Sequence, residues 1–157
     1  METLSRQKHR TMNFEQYASD GNRFINEVAY QLDTDHNSAA RVTRAVLHAI
    51  RDRIPPDDAI QFAQGLPMAL KGEFVDRYDI SKTPVIIRSK EKFIEFVRSK
   101  DGLAAPVDFP DRESVIFALQ AVFYVLELNM SYGQVEQIKK MLNIEIVDLI
   151  DSAIIYK

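Results

Sequence analysis

The chain has 157 residues, 46% hydrophobic and 27% charged, with a formal net charge of −3. That suits one soluble globular domain with a sizeable core and excludes global disorder. There are no cysteines, which excludes disulfide frameworks, thiolate metal sites and cysteine nucleophiles, and the small negative charge argues against a general affinity for nucleic acid.

Residues 1–12 read as a flexible N-terminal tail carrying Arg6, Lys8, His9 and Arg10. The tail is polar and lacks the apolar stretch of a secretory signal. No run in the chain reaches the roughly 18 apolar residues of a membrane span. The expected location is therefore the cytoplasm, away from membranes, and residues 13–157 read as a single helical domain.

Asn13 and Gln16 have capping-box spacing and open a first helix. Phe14, Tyr17, Ala18, Phe24, Ile25, Val28 and Leu32 follow as its apolar face, and Ser19, Asp20 and Gly21 predict a break. After a polar turn at 33–38, with Asn37 or Ser38 as cap, a helix over about 39–53 places Val42, Val46, Ala49 and Ile50 on one face. Arg41, Arg44, His48 and Arg51 fall on the other. Pro55 ends this helix and Pro56 opens the next, with Asp57 and Asp58 near its positive end. That helix buries Ala59, Phe62, Ala63 and Leu66, and a short helix from Pro67 to about Asp76 buries Leu70 and Phe74.

Residues 83–88 read as an extended connector, since a lone strand would have no partner. Ser89 caps a helix that buries Phe93, Phe96 and Val97, and Gly102 ends it in the left-handed conformation. Residues 102–110 read as a loop. The helix over about 111–129 is the most apolar in the chain. Such a helix belongs in the core or in an oligomer interface. Ser131 and Gln134 repeat the capping-box spacing, and a final helix from about Ile144 carries Ile146, Leu149, Ile150, Ala153 and Ile154.

A shift of 76 residues lays the first half on the second without gaps. Ala45 and Val46 fall on Ala121 and Val122, Ile54 on Met130, Phe62 on Ile138, Leu66 on Leu142, and Leu70 and Phe74 on Ile146 and Ile150. Phe24 and Ile25 correspond to Phe93 and Ile94 if the second half has a longer loop. The reading is an all-α bundle of about eight helices in two tandem, related four-helix units, about 13–80 and 89–157, facing each other across a pseudo-twofold axis.

The run Arg-Ala-Val-Leu-His-Ala-Ile-Arg-Asp-Arg-Ile-Pro at 44–55 is followed by Leu-Pro-Met-Ala-Leu-Lys-Gly at 66–72, Lys-Thr-Pro at 82–84 and Arg-Ser-Lys-Glu-Lys-Phe at 88–93. In this order the motifs resemble the bacterial family called domain of unknown function 2267, over roughly residues 22–151. The resemblance implies a small, all-helical bacterial protein and assigns no catalytic residue.

Asp33, Asp35 and Asn37 have the spacing that opens a calcium-binding EF-hand loop, but Ser38 replaces the required glycine and Arg44 the bidentate glutamate. They read instead as a capped turn. His48 has Asp52 one helical turn away as its candidate partner and no nucleophile at matched spacing. Arg41, Arg44, His48 and Arg51 form a basic stripe, extended by Lys71 and Arg77, that would suit a phosphate-bearing ligand or an acidic partner. The plainer reading pairs the stripe with Asp52, Asp57 and Asp58 at the surface. A DNA-binding helix over 57–64 would offer Gln61 and Gln64 beside two repelling aspartates, which argues against nucleic acid as a partner. No metal or cofactor motif is present. The leading expectation is a noncatalytic interaction or scaffold domain with an unknown protein partner, forming a homo-oligomer. A binding protein or enzyme for a small anionic ligand is the alternative, and DNA binding the second.

Overall fold

The computed structural model describes residues 12–152. Residues 1–11 of the expected tail, and Ala153 and Ile154 of the expected last helix, lie outside them. Nine α-helices and no strand occur among the described residues: α1 (Phe14–Leu32), α2 (His36–Arg53), α3 (Pro56–Ala63), α4 (Met68–Val75), α5 (Lys90–Lys100), α6 (Ala105–Asp108), α7 (Arg112–Asn129), α8 (Tyr132–Met141) and α9 (Ile144–Asp151). The fold is all-α, as expected. None of these helices is long and apolar enough to cross a membrane.

Local chemistry explains most of the boundaries. Asn13, Ser89, Asp111, Ser131 and Asn143 each accept a hydrogen bond from a backbone N–H of the first turn they precede. Ser131 and Gln134 form the expected capping box. Pro56 starts α3, where its missing N–H costs nothing, and Gly102 adopts φ 57° just past α5.

Four details differ from expectation. The cap of α2 is Asp35, whose carboxylate accepts from Ser38 N at 2.7 Å, so α2 begins earlier than 39. The segment 102–110 contains a 3₁₀ turn and the short α6, which makes nine helices instead of eight. Gly21 does not break α1. It is buried where α1 crosses α4, and a Cβ there would lie 3.0 Å from Ala69 Cβ, so glycine serves close helix approach. Phe14 and Ala18 are exposed, because the first turns of α1 run past the layer it packs on.

All long helices contribute to one core. α2 and α7 pack on each other, and α1 and α5 each pack on both. α4 covers α1 and α2, while α9 covers α5 and α7. The most extensive packing joins α2 to α5, so the first half completes its core with a helix of the second. Residues 83–88 form an irregular connector, as expected, tied to α2 by Val85 N on Asp52 O at 2.7 Å.

Burial follows the 76-residue spacing closely. The pairs Ala39 and Val115, Val42 and Ala118, Val46 and Val122, Ile50 and Leu126, Ile54 and Met130, and Phe74 and Ile150 are buried in both halves. Upstream, Phe24, Ile25 and Val28 match Phe93, Ile94 and Val97 at the shorter spacing that the longer connection 101–111 requires. One pair is mismatched in polarity. Thr43 is 1% exposed and its hydroxyl has no partner, whereas Leu119 fills the corresponding position. Thr43→Val is therefore expected to stabilise the fold by about 1 kcal/mol, by removing an unsatisfied buried hydroxyl. The check is a higher urea midpoint with an unchanged m-value.

Candidate functional site

The helical period brings Arg41, Arg44, His48 and Arg51 to one face of α2, as the spacing predicts. Each meets a partner from the rest of the chain. Arg51 is 3% exposed. Its Nε donates to Asp52 Oδ1 at 2.8 Å, and its Nη1 donates to Phe74 O at 2.9 Å and Asp76 O at 2.8 Å. Its guanidinium lies 4.7 Å from the centroid of the Tyr78 ring. Phe74 and Asp76 stand at the C-terminal end of α4, where helix carbonyls lack intrahelical donors. Arg51 supplies those donors and acts as a side-chain cap for α4. Arg77 takes φ 58° and turns the chain so that Tyr78 reaches the same guanidinium.

His48 donates from Nε2 to Glu73 O at 2.6 Å, not to Asp52, the expected partner. Burial is the main cause that holds the His48 imidazole below its ordinary range; the bond to Glu73 O opposes this, and Arg51 and Arg44 reinforce it. The ring is therefore neutral near pH 7. Arg44 Nη2 bonds Asp76 Oδ2 at 2.7 Å, and its Nε lies 3.7 Å from Glu73 Oε2. Arg41 grips Asp108 with Nε at 2.7 Å and Nη2 at 2.9 Å.

Asp52 is the second hub. It receives Arg51 and, from α5, Lys100 Nζ at 2.6 Å. Burial raises its carboxyl, but the hydrogen bonds from Arg51 and Lys100 outweigh this and hold it below the usual carboxylate range. Of the three carboxylates in the plainer sequence reading, Asp52 meets the stripe, buried and not at the surface; Arg41 and Arg44 pair with Asp108, Glu73 and Asp76 instead of Asp57 and Asp58. Asp108, Glu73 and Asp76 lie 29 to 67 positions from the arginines they meet, and no local sequence signal connects them to the stripe. Asp33 and Asp35, the candidate calcium residues, are the C-cap of α1 and the N-cap of α2.

In the second half the same helix positions carry Phe117, Gln120, Tyr124 and Glu127. Gln120 Nε2 donates to Leu149 O at 2.8 Å and Ser152 Oγ at 3.0 Å. Those acceptors stand where Glu73 and Asp76 hold Arg44. The charge is reversed at the next pair: Glu127 takes the place of Arg51, and the buried cation is Lys139 of α8, 2.9 Å from Asp151 and 3.3 Å from Glu127. Burial lowers the Lys139 ammonium, but those two carboxylates outweigh it and raise it above its ordinary range. The α7 face is otherwise apolar at its rim, with Phe117 60% and Leu128 57% exposed. Phe117, Ala118, Val42, Leu32, Val107 and Asp108 line a groove of about 920 Å³ between α1, α6 and α7.

An all-α domain whose basic face is bonded to its own chain, with a groove beside its second long helix, is the class these features define. The family described as "Uncharacterized conserved protein (DUF2267)" matches residues 21–149, and the chain belongs to it. No curated protein matches the chain.

Asp52→Ala leaves the buried Arg51 without its carboxylate, and a loss of about 3 kcal/mol is expected in urea unfolding. His48 adds a pH dependence of known sign. Its folded pKa lies below the unfolded value, so its contribution is complete above about 6.5 and lost as pH falls below that. His48→Gln is expected to flatten the fall in melting temperature between pH 6.5 and 5.

Proposed function

We propose that this protein is a noncatalytic interaction domain that assembles with copies of itself through the outer face of α7. The observation that carries this reading is the contrast between the two long helices. On α2 the polar face is bonded internally, through Arg41, Arg44, His48 and Arg51. On α7 the corresponding face presents Phe117 at the mouth of a groove and Leu128 further along, both more than half exposed. Exposed apolar side chains of this size, with Phe117 rimming a groove of mixed apolar and polar lining, favour covering by another surface. Homo-oligomers with closed symmetry are the commonest soluble assemblies, and one α7 face packed on another would bury these side chains on both copies.

The shared 76-residue spacing of helices, caps and buried positions supports descent of the two halves from one four-helix unit. In that reading one copy kept the polar stripe as internal bracing. The other exchanged it for an apolar face available to a partner.

The alternative, a site for a small anionic ligand, keeps one favourable observation. The side chains of Arg41 and Arg44 remain 43% and 42% exposed despite their ion pairs, so a phosphate group would have to compete with Asp108 and Asp76 for them. The two readings separate by mutation. Under the self-association reading, native mass spectrometry gives a multiple of the 18.0 kDa chain mass. Phe117→Glu with Leu128→Glu then weakens assembly tenfold or more, about 1.4 kcal/mol, while Arg44→Ala leaves it intact. A monomer at all concentrations, combined with pyrophosphate binding lost in the Arg41→Ala, Arg44→Ala variant, would sink self-association in favour of the anion site.

A further inference from the structure

The connection 101–111 exists only between α5 and α7; its counterpart between α1 and α2 is the short turn at 33–35. It holds an unusual set of charges. Asp101 stands at the C-terminal end of α5, where the helix carbonyls disfavour a negative charge. Both basic residues of that last turn face elsewhere: Lys100 Nζ goes to Asp52, and Arg98 Nε donates to Phe109 O at 2.9 Å. Asp108 closes α6 with its side chain 1% exposed, held by Arg41 of α2. The carboxyl of Asp101 lies within hydrogen-bond reach of the Asp108 carboxyl. Asp101 Oδ2 is buried, with no donor directed at it. Asp35, the cap of α2, is a further acid facing Arg41.

Two carboxyls shielded from water therefore share one guanidinium, whose outer side stays exposed. With one proton between the carboxyls, the set of Asp101, Asp108 and Arg41 carries no net charge and the proton bridges Asp101 and Asp108. Without it, two anions face one cation in a place that disfavours charge. The proton belongs on Asp101. Arg41 holds the Asp108 carboxyl below the usual range, while burial, followed by the neighbouring Asp108, pushes Asp101 up to about 7.

We propose that residues 102–108 are a proton-operated latch. Protonated Asp101 donates to Asp108 and so fastens α6 to α2 through Arg41, and loss of that proton lets the segment lift away. The segment is built for such movement. Gly102 supplies the left-handed backbone turn at its start; Leu103 and Val107 are exposed, so Ala105 is the segment's one buried apolar side chain, and the fully buried Phe109 anchors the chain just beyond it. Val107 and Asp108 also line the groove beside α7, so the latch sets the position of one groove wall, whatever occupies the groove.

The sign follows from linkage. The latched carboxyl binds its proton more tightly than a free aspartate does. Opening therefore becomes easier by up to about tenfold per pH unit between the ordinary aspartate range and about 7, and levels off above. The test is NMR on the full chain from pH 4.5 to 8.5. The side-chain carboxyl ¹³C signal of Asp101 is expected to titrate well above pH 4.5. Amide-exchange protection in α6, read at the Phe109 N–H bonded to Ala105 O and corrected for intrinsic rate, is expected to fall by tenfold or more from pH 5 to 7. Asp101→Asn, whose amide donates at every pH, should hold that protection constant. An Asp101 signal titrating near pH 4, or protection in the unaltered chain that does not change with pH, overturns the latch. So does an Asp101→Asn protein that loses protection in step with the unaltered one. The carboxyl titration needs no variant and decides the matter even if Asp101→Asn fails to fold.

Discussion

Arg51 is the constraint on which the first half depends. A guanidinium is costly to remove from water unless its donors are satisfied. This one finds a carboxylate beside it, the two carbonyls at the end of α4, and an aromatic ring. Those bonds fix where α4 ends relative to α2. Once that end is fixed, Glu73 O is in place for His48 and Asp76 for Arg44. The carboxylate of Asp52, held by Arg51 through both oxygens, also receives Lys100 from α5 on Oδ2, which joins the two halves.

The second half meets the same geometric problem with reversed charge. A short helix must be tied to a long one at its C-terminal end. Here Lys139 of α8 reaches between Glu127 of α7 and Asp151 of α9, and Gln120 takes over the role of Arg44 with neutral hydrogen bonds. What matters in both places is that each buried charge is paired and each helix end finds a donor or acceptor. Which element supplies the cation is interchangeable. This accounts for the low identity between the halves despite their matched burial: the apolar positions must fill the same space, whereas the polar braces need only close the same gaps.

The consequence for function is that a cluster of arginines and a histidine on one helix face is not by itself a binding site. Here it braces the fold, and the polar groups with the most perturbed proton affinity lie elsewhere, in the connection peculiar to the second half. There the extra residues bring Asp101 against Asp108 without bringing a second cation. The same connection forms a wall of the groove at Phe117, so these unevenly balanced charges stand next to an exposed apolar side chain of α7.

Much of the architecture was legible in the sequence because it is local. Caps at Asn13, Ser89 and Ser131, the proline at 56, the glycine at 102 and the period of the apolar residues act within one or two helical turns. They determined helices, breaks and the buried faces of α2, α3 and α4. The 76-residue spacing of buried positions was legible because apolar residues mark where each helix meets the core. The roles of Gly21 and of the stripe were decided only by tertiary structure. Whether a glycine breaks a helix or admits a neighbour depends on Ala69 arriving opposite it. Whether an arginine is free or spent depends on Asp76 and Asp108, which the chain brings back only after α4 and α6 have packed. Sequence spacing carries helical periodicity, but it does not carry the direction from which a distant carboxylate returns.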